Sequence, residues 1–178
     1  MVEGTRPPAL SSPYIGVAGA SQPEPQLVEP AEELGRRLAE AGATVVCGGG
    51  AGVMAAVCRG AQAAGATTVG LLPGAKRSGG NPYLSVALPT GLGEGRNLLL
   101  VRASDALIAV GGGFGTLSEI ALALRIGVPV VGMATWGLTR DGRPVIPFPI
   151  TANPEEAARL AIDAAHRRTA TQPGRPEP

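Results

Sequence analysis

Apolar residues in this chain cluster in short runs, separated by longer stretches in which they recur every three or four positions. The run at residues 106–110 is continuous and predicts a parallel strand buried on both faces, and apolar-rich stretches at 14–18, 44–47, 67–72 and 129–133 predict further strands. The stretches between them predict helices over residues 30–41, 53–64, 91–103, 117–125 and 154–167. In the first helix Leu34 and Leu38 share one face, and Glu32, Glu33, Arg36, Arg37 and Glu40 form a solvated one. Leu98, Leu99 and Val101 mark the third helix, and Ala158, Ala161, Ile162 and Ala165 line one face of the last. Pro30 suits a first helical turn, and Gly42 and Gly65 suit helix ends. Residues 75–89 form a long polar connection around a short extended piece at 84–88, and are expected to act as a lid or rim. Strands alternating with crossover helices demand a parallel sheet covered on both sides. The expected fold is therefore a single Rossmann-like, doubly wound α/β domain over residues 14–167. Residues 1–13 and 168–178, rich in Pro, Gly, Ser and Thr, are expected to be disordered tails.

Ligands of such sheets bind beyond the carboxyl ends of the strands. Three of these ends carry glycine here: Gly19-Ala-Ser21, Gly48-Gly-Gly-Ala-Gly52, and Gly111-Gly-Gly-Phe-Gly115. The third is the most informative, because Val110-Gly-Gly-Gly-Phe-Gly-Thr-Leu-Ser-Glu119 runs from strand through turn into helix, with Thr116 or Ser118 placed to cap it. The first N–H groups of that helix attract an anion. Candidate phosphate or nucleotide contacts are Gly19, Ser21, Gly48, Gly49, Gly50, Gly112, Gly113, Phe114, Gly115 and Thr116. For Gly48 to Gly52, close helix–strand packing is the competing explanation. Glu119 either complements the helix dipole in the first turn or faces the ligand to grip ribose hydroxyls or activate water. Arg96 follows Gly91-Leu-Gly-Glu-Gly95, which wastes helix propensity unless the backbone or the arginine reaches a ligand. Arg102 and Asp105 are placed to pair at the far end of that helix.

Several chemistries are disfavoured. The first glycine turn is not GxGxxG, and no lysine follows any glycine turn, so neither the dinucleotide fingerprint nor a Walker A loop is present. Lys76, the sole lysine, lies in a polar connection, which argues against pyridoxal phosphate chemistry. Cys47 and Cys58 lack metal-ligand spacing and His166 is the single histidine, so no metal site is expected. No disulfide scaffold is expected, and Cys47 reads as a small hydrophobe ending a buried strand. A formal net charge of +1 and five aromatic residues in 178 favour a small-molecule ligand over nucleic acid or a membrane surface. With no basic and apolar leader visible at the start, the expected location is cytoplasmic.

Gly48-Gly-Gly-Ala-Gly-Val-Met54, Gly95-Arg96-Asn97 and Gly112-Gly-Phe-Gly-Thr-Leu-Ser-Glu119 together resemble the Lonely Guy family, long mislabelled as lysine decarboxylases. The resemblance spans residues 14–133. It implies a Rossmann-like fold and hydrolysis of cytokinin or purine nucleoside 5′-monophosphates to base and ribose 5-phosphate, with no cofactor required. It further implies that Gly112 to Thr116 hold the phosphate while Arg96 and Glu119 act at the ribose and scissile bond. Two positions depart from the family: Gly111 stands where it has proline, and Asn97 where it has lysine. Both departures are closer to a sister branch of molybdenum-cofactor carrier proteins, whose resemblance implies a non-catalytic binding protein for a pterin phosphate. Relatives in both groups imply a homodimer or homotetramer. A regulatory nucleotide sensor is a third reading.

Overall fold

The computed structural model describes residues 12–145 and 147–171. Six strands form one sheet: β1 (Tyr14–Gly19), β2 (Thr44–Cys47), β3 (Thr68–Leu72), β4 (Val86–Pro89), β5 (Ala106–Val110) and β6 (Val130–Met133). Their order is β4-β3-β2-β1-β5-β6, and every pairing is parallel. The chain steps outward from β1 to β4, then returns to the other side of β1 with β5. The strand order therefore reverses between β1 and β5, which opens a crevice beyond their carboxyl ends.

Helices cover both faces, as expected of a single doubly wound α/β domain. On one face lie α1 (Val28–Glu40), α2 (Val53–Ala63) and α5 (Pro154–Thr171); on the other lie α3 (Arg96–Arg102) and α4 (Phe114–Ile126). Alternate residues of the central strands feed the two cores. Ile15, Val17, Ile108 and Val110 pack with Leu34, Leu38 and Ala161 on the first face. Leu107 and Ala109 pack with Leu100, Ile120 and Ala123 on the second. These apolar, mostly fully buried side chains supply the driving force for the fold.

α1 and α2 pack with no room to spare. A Cβ on Gly35 would collide with the Val57 carbonyl oxygen, and one on Gly60 with that of Glu32. Arg59 and Glu32 close the edge of this contact with an ion pair.

Helix starts differ from expectation at two of the glycine turns. The helix foreseen from residue 91 starts at Arg96, because Gly91 and Gly93 have φ of 67° and 54° and a 3-10 turn, Gly93–Gly95, fills the gap. α4 starts at Phe114, three residues early, and Gly113 caps it with no side-chain bond. Thr116 and Ser118 are thus inside the helix rather than at its cap, and Ser118 Oγ donates to the Gly115 carbonyl at 2.7 Å. Arg168 to Thr171, expected in the tail, continue α5, and Arg168 donates to the Ser104 carbonyl at 2.7 Å. Residues 1–11 and 172–178 of the expected tails lie outside the described residues. Asp105 accepts the Tyr14 N–H at 2.8 Å instead of pairing with Arg102. A hairpin not foreseen, β7 (Leu138–Arg140) with β8 (Arg143–Val145), turns on Asp141-Gly142, both at positive φ. Among the described residues, no helix is long and apolar enough to cross a membrane.

Replacing Gly60 with Ala should cost about 1–3 kcal/mol of unfolding free energy, because the new methyl group meets backbone rather than a yielding side chain. Gly74→Ala, which meets nothing within 4 Å, should be near neutral. Urea denaturation of the two variants checks this; equal midpoints would contradict the close helix contact.

Candidate functional site

At the crevice beyond β1 and β5 lies a cavity of about 720 Å³. Gly19, Ala20 and Ser21, after β1, form one wall. Gly113, Phe114, Gly115 and Thr116, after β5, form another. Gly93, Glu94, Arg96 and Asn97 approach from the start of α3, and Ser118, Glu119 and Leu122 from α4.

The turn after β5 is shaped by its backbone. Gly112 has φ of 112°, and a Cβ there would strike Thr116, so only glycine closes this turn. Intrahelical bonding in α4 begins with Leu117 N–H donating to Gly113 O at 3.1 Å. The N–H groups of Phe114, Gly115 and Thr116 therefore have no acceptor within the helix, and they sit at its positive end. Two residues after β6 hold the turn from outside: Thr135 Oγ1 donates to Gly111 O at 2.6 Å, and Trp136 Nε1 to Gly113 O at 3.2 Å. Trp136 also lies against Phe114, ring centroids 5.7 Å apart, and Phe114 is 81% exposed. A second cavity of about 630 Å³, with Gln22, Gln26, Gly112 and Trp136 in its walls, meets the first at Ala20 and Gly113.

Glu119 belongs to the second turn of α4, too far along the helix to answer its dipole, and it faces the cavity. Its carboxylate accepts from Arg96 Nη1 at 3.1 Å, with the two side chains 6% and 15% exposed. Burial pushes the Glu119 carboxyl up to about 7, and the opposing pull of the Arg96 guanidinium only partly offsets it. Near neutrality the group is divided between acid and carboxylate. Arg96 lies over Gly48, where a Cβ would stand 2.5 Å from both terminal nitrogens, and its Nε is buried with no acceptor among the described residues. Beside this pair, Asn97 Nδ2 donates to Ser118 Oγ at 2.9 Å, tying α3 to α4 through a neutral contact.

Of the residues singled out from sequence, Gly19, Ser21, Arg96, Gly113, Phe114, Gly115, Thr116 and Glu119 line this cavity, and Gly112 lines its neighbour. Gly48, Gly49 and Gly50 line neither. Gly48 makes room for Arg96, while Asn81 binds the Gly49 and Gly50 carbonyls at 2.8 and 3.0 Å. The connection at residues 75–89 is thereby fastened beneath the second glycine turn, and the nearby rim is made by Pro73, Gly93 and Glu94. Ala20, Met54, Pro73, Glu94, Ser118 and Leu122 were not foreseen as lining residues; Met54 stood out only as the last residue of the motif Gly48 to Met54. Among the described residues, no group of three or more His, Cys, Asp or Glu side chains is arranged to hold a metal ion.

A family model described as the SLOG cluster4 family matches residues 12–164. An uncharacterized protein of Archaeoglobus fulgidus is 36% identical over 151 residues, 85% of this chain and 95% of the relative. A cytokinin riboside 5′-monophosphate phosphoribohydrolase of Mycobacterium tuberculosis is 34% identical over 127 residues, 66% of this chain and 68% of the relative. Among solved structures, the molybdenum cofactor binding protein of Rippkaea orientalis superposes with a TM-score of 0.77 at 32% identity, covering 87% of this chain and 98% of the other.

Because folding raises the Glu119 carboxyl from an ordinary 4.5 to about 7, the folded state holds its proton more tightly than the unfolded one. Its contribution to stability is thus full below about 4.5 and is lost as pH rises through about 7. The stability gap between wild type and Glu119→Gln should shift by up to about 3 kcal/mol against wild type across that window. Denaturant titrations at a series of pH values measure it; a gap that stays flat or moves the other way would contradict the assignment.

Proposed function

We propose that this chain, which belongs to the SLOG cluster4 family, hydrolyses the N-glycosidic bond of a purine or cytokinin nucleoside 5′-monophosphate, releasing the base and ribose 5-phosphate. The observation that carries this reading is the Glu119 carboxyl, buried against Arg96 in the same cavity as Phe114, Gly115 and Thr116, whose N–H groups open α4. A phosphate seated on those N–H groups is stabilised by the helix terminus. The sugar then extends toward Glu119. Breaking the glycosidic bond builds oxocarbenium character on the ribose, which the Glu119 carboxylate stabilises while it accepts a proton from the attacking water. A carboxyl group poised near neutrality suits that proton transfer. Arg96 fixes the carboxylate and offers positive charge to the phosphate or the departing base. The phosphoribohydrolase relative supports this chemistry. No metal or redox group is needed for it.

One observation favours a second reading, that of a carrier. Beside Arg96 stands the neutral Asn97–Ser118 contact, where the hydrolase resemblance has a lysine, and molybdenum cofactor binding proteins share the fold. In that reading the same N–H groups hold the phosphate of a molybdenum pterin as cargo, and Glu119 contributes affinity without turnover.

Chromatography of the products from AMP and from isopentenyladenosine monophosphate separates the two. Wild type should release free base, and Glu119→Gln should lose about 10²–10⁴-fold in rate while retaining nucleotide affinity. Equal turnover by both proteins would contradict the role of Glu119. Binding without release would favour the carrier.

A further inference from the structure

Behind the cavity wall, three sulfur side chains form a buried cluster of their own. Cys47, Met54 and Cys58 pack together, with Tyr83 and Leu84 against them. Cys47 ends β2 and Cys58 lies in the second turn of α2. Both thiols are free and fully buried, and their Sγ atoms are 3.5 Å apart. A disulfide requires the two sulfurs to approach by about 1.5 Å more, to a bond of about 2.05 Å.

The two sulfurs have unequal surroundings. Gly49 N–H donates to Cys47 Sγ at 3.3 Å. The hydrogen bond from Cys58, that N–H and the nearby Arg96 charge together hold the Cys47 thiol below its ordinary range. Hydrogen bonding to Cys47 and burial push the Cys58 thiol far up. One member of the pair is thus the readier nucleophile, and the other keeps its proton. Met54 connects them to the cavity, since it is packed in the sulfur cluster and also lines the cavity at 8% exposure.

We propose that Cys47 and Cys58 form an oxidation site at which a hydroperoxide, entering by way of the cavity, closes the pair to an intramolecular disulfide. The Cys47 thiolate attacks one peroxide oxygen and the O–O bond breaks. Cys47 becomes a sulfenic acid, and the departing hydroxide takes the Cys58 proton to leave as water. The Cys58 thiolate then attacks the Cys47 sulfur, forming the S–S bond. The sulfenic oxygen leaves as hydroxide and is protonated to a second water by the proton that Cys47 gave up at the start. Two thiols are oxidised and one peroxide is reduced.

The oxidation reaches the ligand cavity through the backbone. Cys47 immediately precedes Gly48, on which the Arg96 guanidinium lies. Drawing the end of β2 toward α2 moves that support, and the disulfide replaces an ionisable thiol near the guanidinium with a neutral group. This coupling rests on the reading of Arg96 as a ligand-binding residue; the oxidation itself does not.

The test is made on the full chain, treated with hydrogen peroxide, denatured, alkylated without reduction and digested. Mass spectrometry should find the Cys47 and Cys58 peptides joined and lighter by two hydrogens than their sum, and dithiothreitol should reverse the link. Cys58→Ser should instead accumulate a Cys47 sulfenic acid that dimedone captures. Two alkylated thiols after treatment, or Cys47 carried to sulfinic acid in wild type with no cross-link, would overturn the proposal. Titration of AMP into reduced and oxidised protein then reads the coupling. Several-fold weaker binding by the oxidised form is expected, and unchanged affinity would overturn the coupling. A cross-link formed in protein that binds AMP in neither state would sustain the oxidation site and count against the nucleotide reading.

Discussion

The ion pair between Arg96 and Glu119 is the constraint around which this crevice is arranged. A carboxyl group taken out of water beside a single guanidinium is costly, and the surroundings bear the marks of that cost. Gly48 has no side chain because Arg96 occupies the space, and α3 begins at Arg96 because two left-handed glycines precede it. Asn97 and Ser118 then lock α3 to α4, holding the two charged residues, which are 23 positions apart, at 3.1 Å. Burial wins over pairing at Glu119, so the carboxyl exchanges its proton near neutrality. A surface pair would do neither.

The sheet explains why this pair faces an anion-binding helix end. Reversal of strand order between β1 and β5 leaves the first turn of α4 open to the crevice instead of beneath a neighbouring connection. Gly112 bends the chain sharply enough to start α4 at once. Thr135 and Trp136 occupy two carbonyls of the turn from behind. Positive helix end and carboxyl, both on α4, thus converge with the guanidinium carried by α3.

Much of this was legible in the sequence, for physical reasons particular to each part. Strands such as residues 106–110 announce themselves because a sheet buried on both faces admits only apolar side chains. Arg96 and Glu119 could be singled out because each interrupts its context, one after helix-breaking glycines and the other after a glycine turn. What bring them together are tertiary distances, and these leave no local trace. The role of Gly48 was equally hidden, since a glycine that yields space to an arginine 48 residues away reads like any other glycine turn. The start of α3 was misjudged at Gly91 because position alone does not reveal the sign of φ, and that of α4 because Gly113 caps it without a side-chain bond. The Asp141-Gly142 hairpin had a clear turn signal, but its three-residue strands are too short for an alternating pattern to show.

A crystal structure with ribose 5-phosphate, the smallest fragment common to the proposed substrates, tests the central claim most directly. The account predicts the phosphate within hydrogen-bonding distance of the Phe114, Gly115 and Thr116 N–H groups, and the anomeric carbon turned toward Glu119. A phosphate bound elsewhere, or a sugar turned away from the Arg96–Glu119 pair, would contradict it.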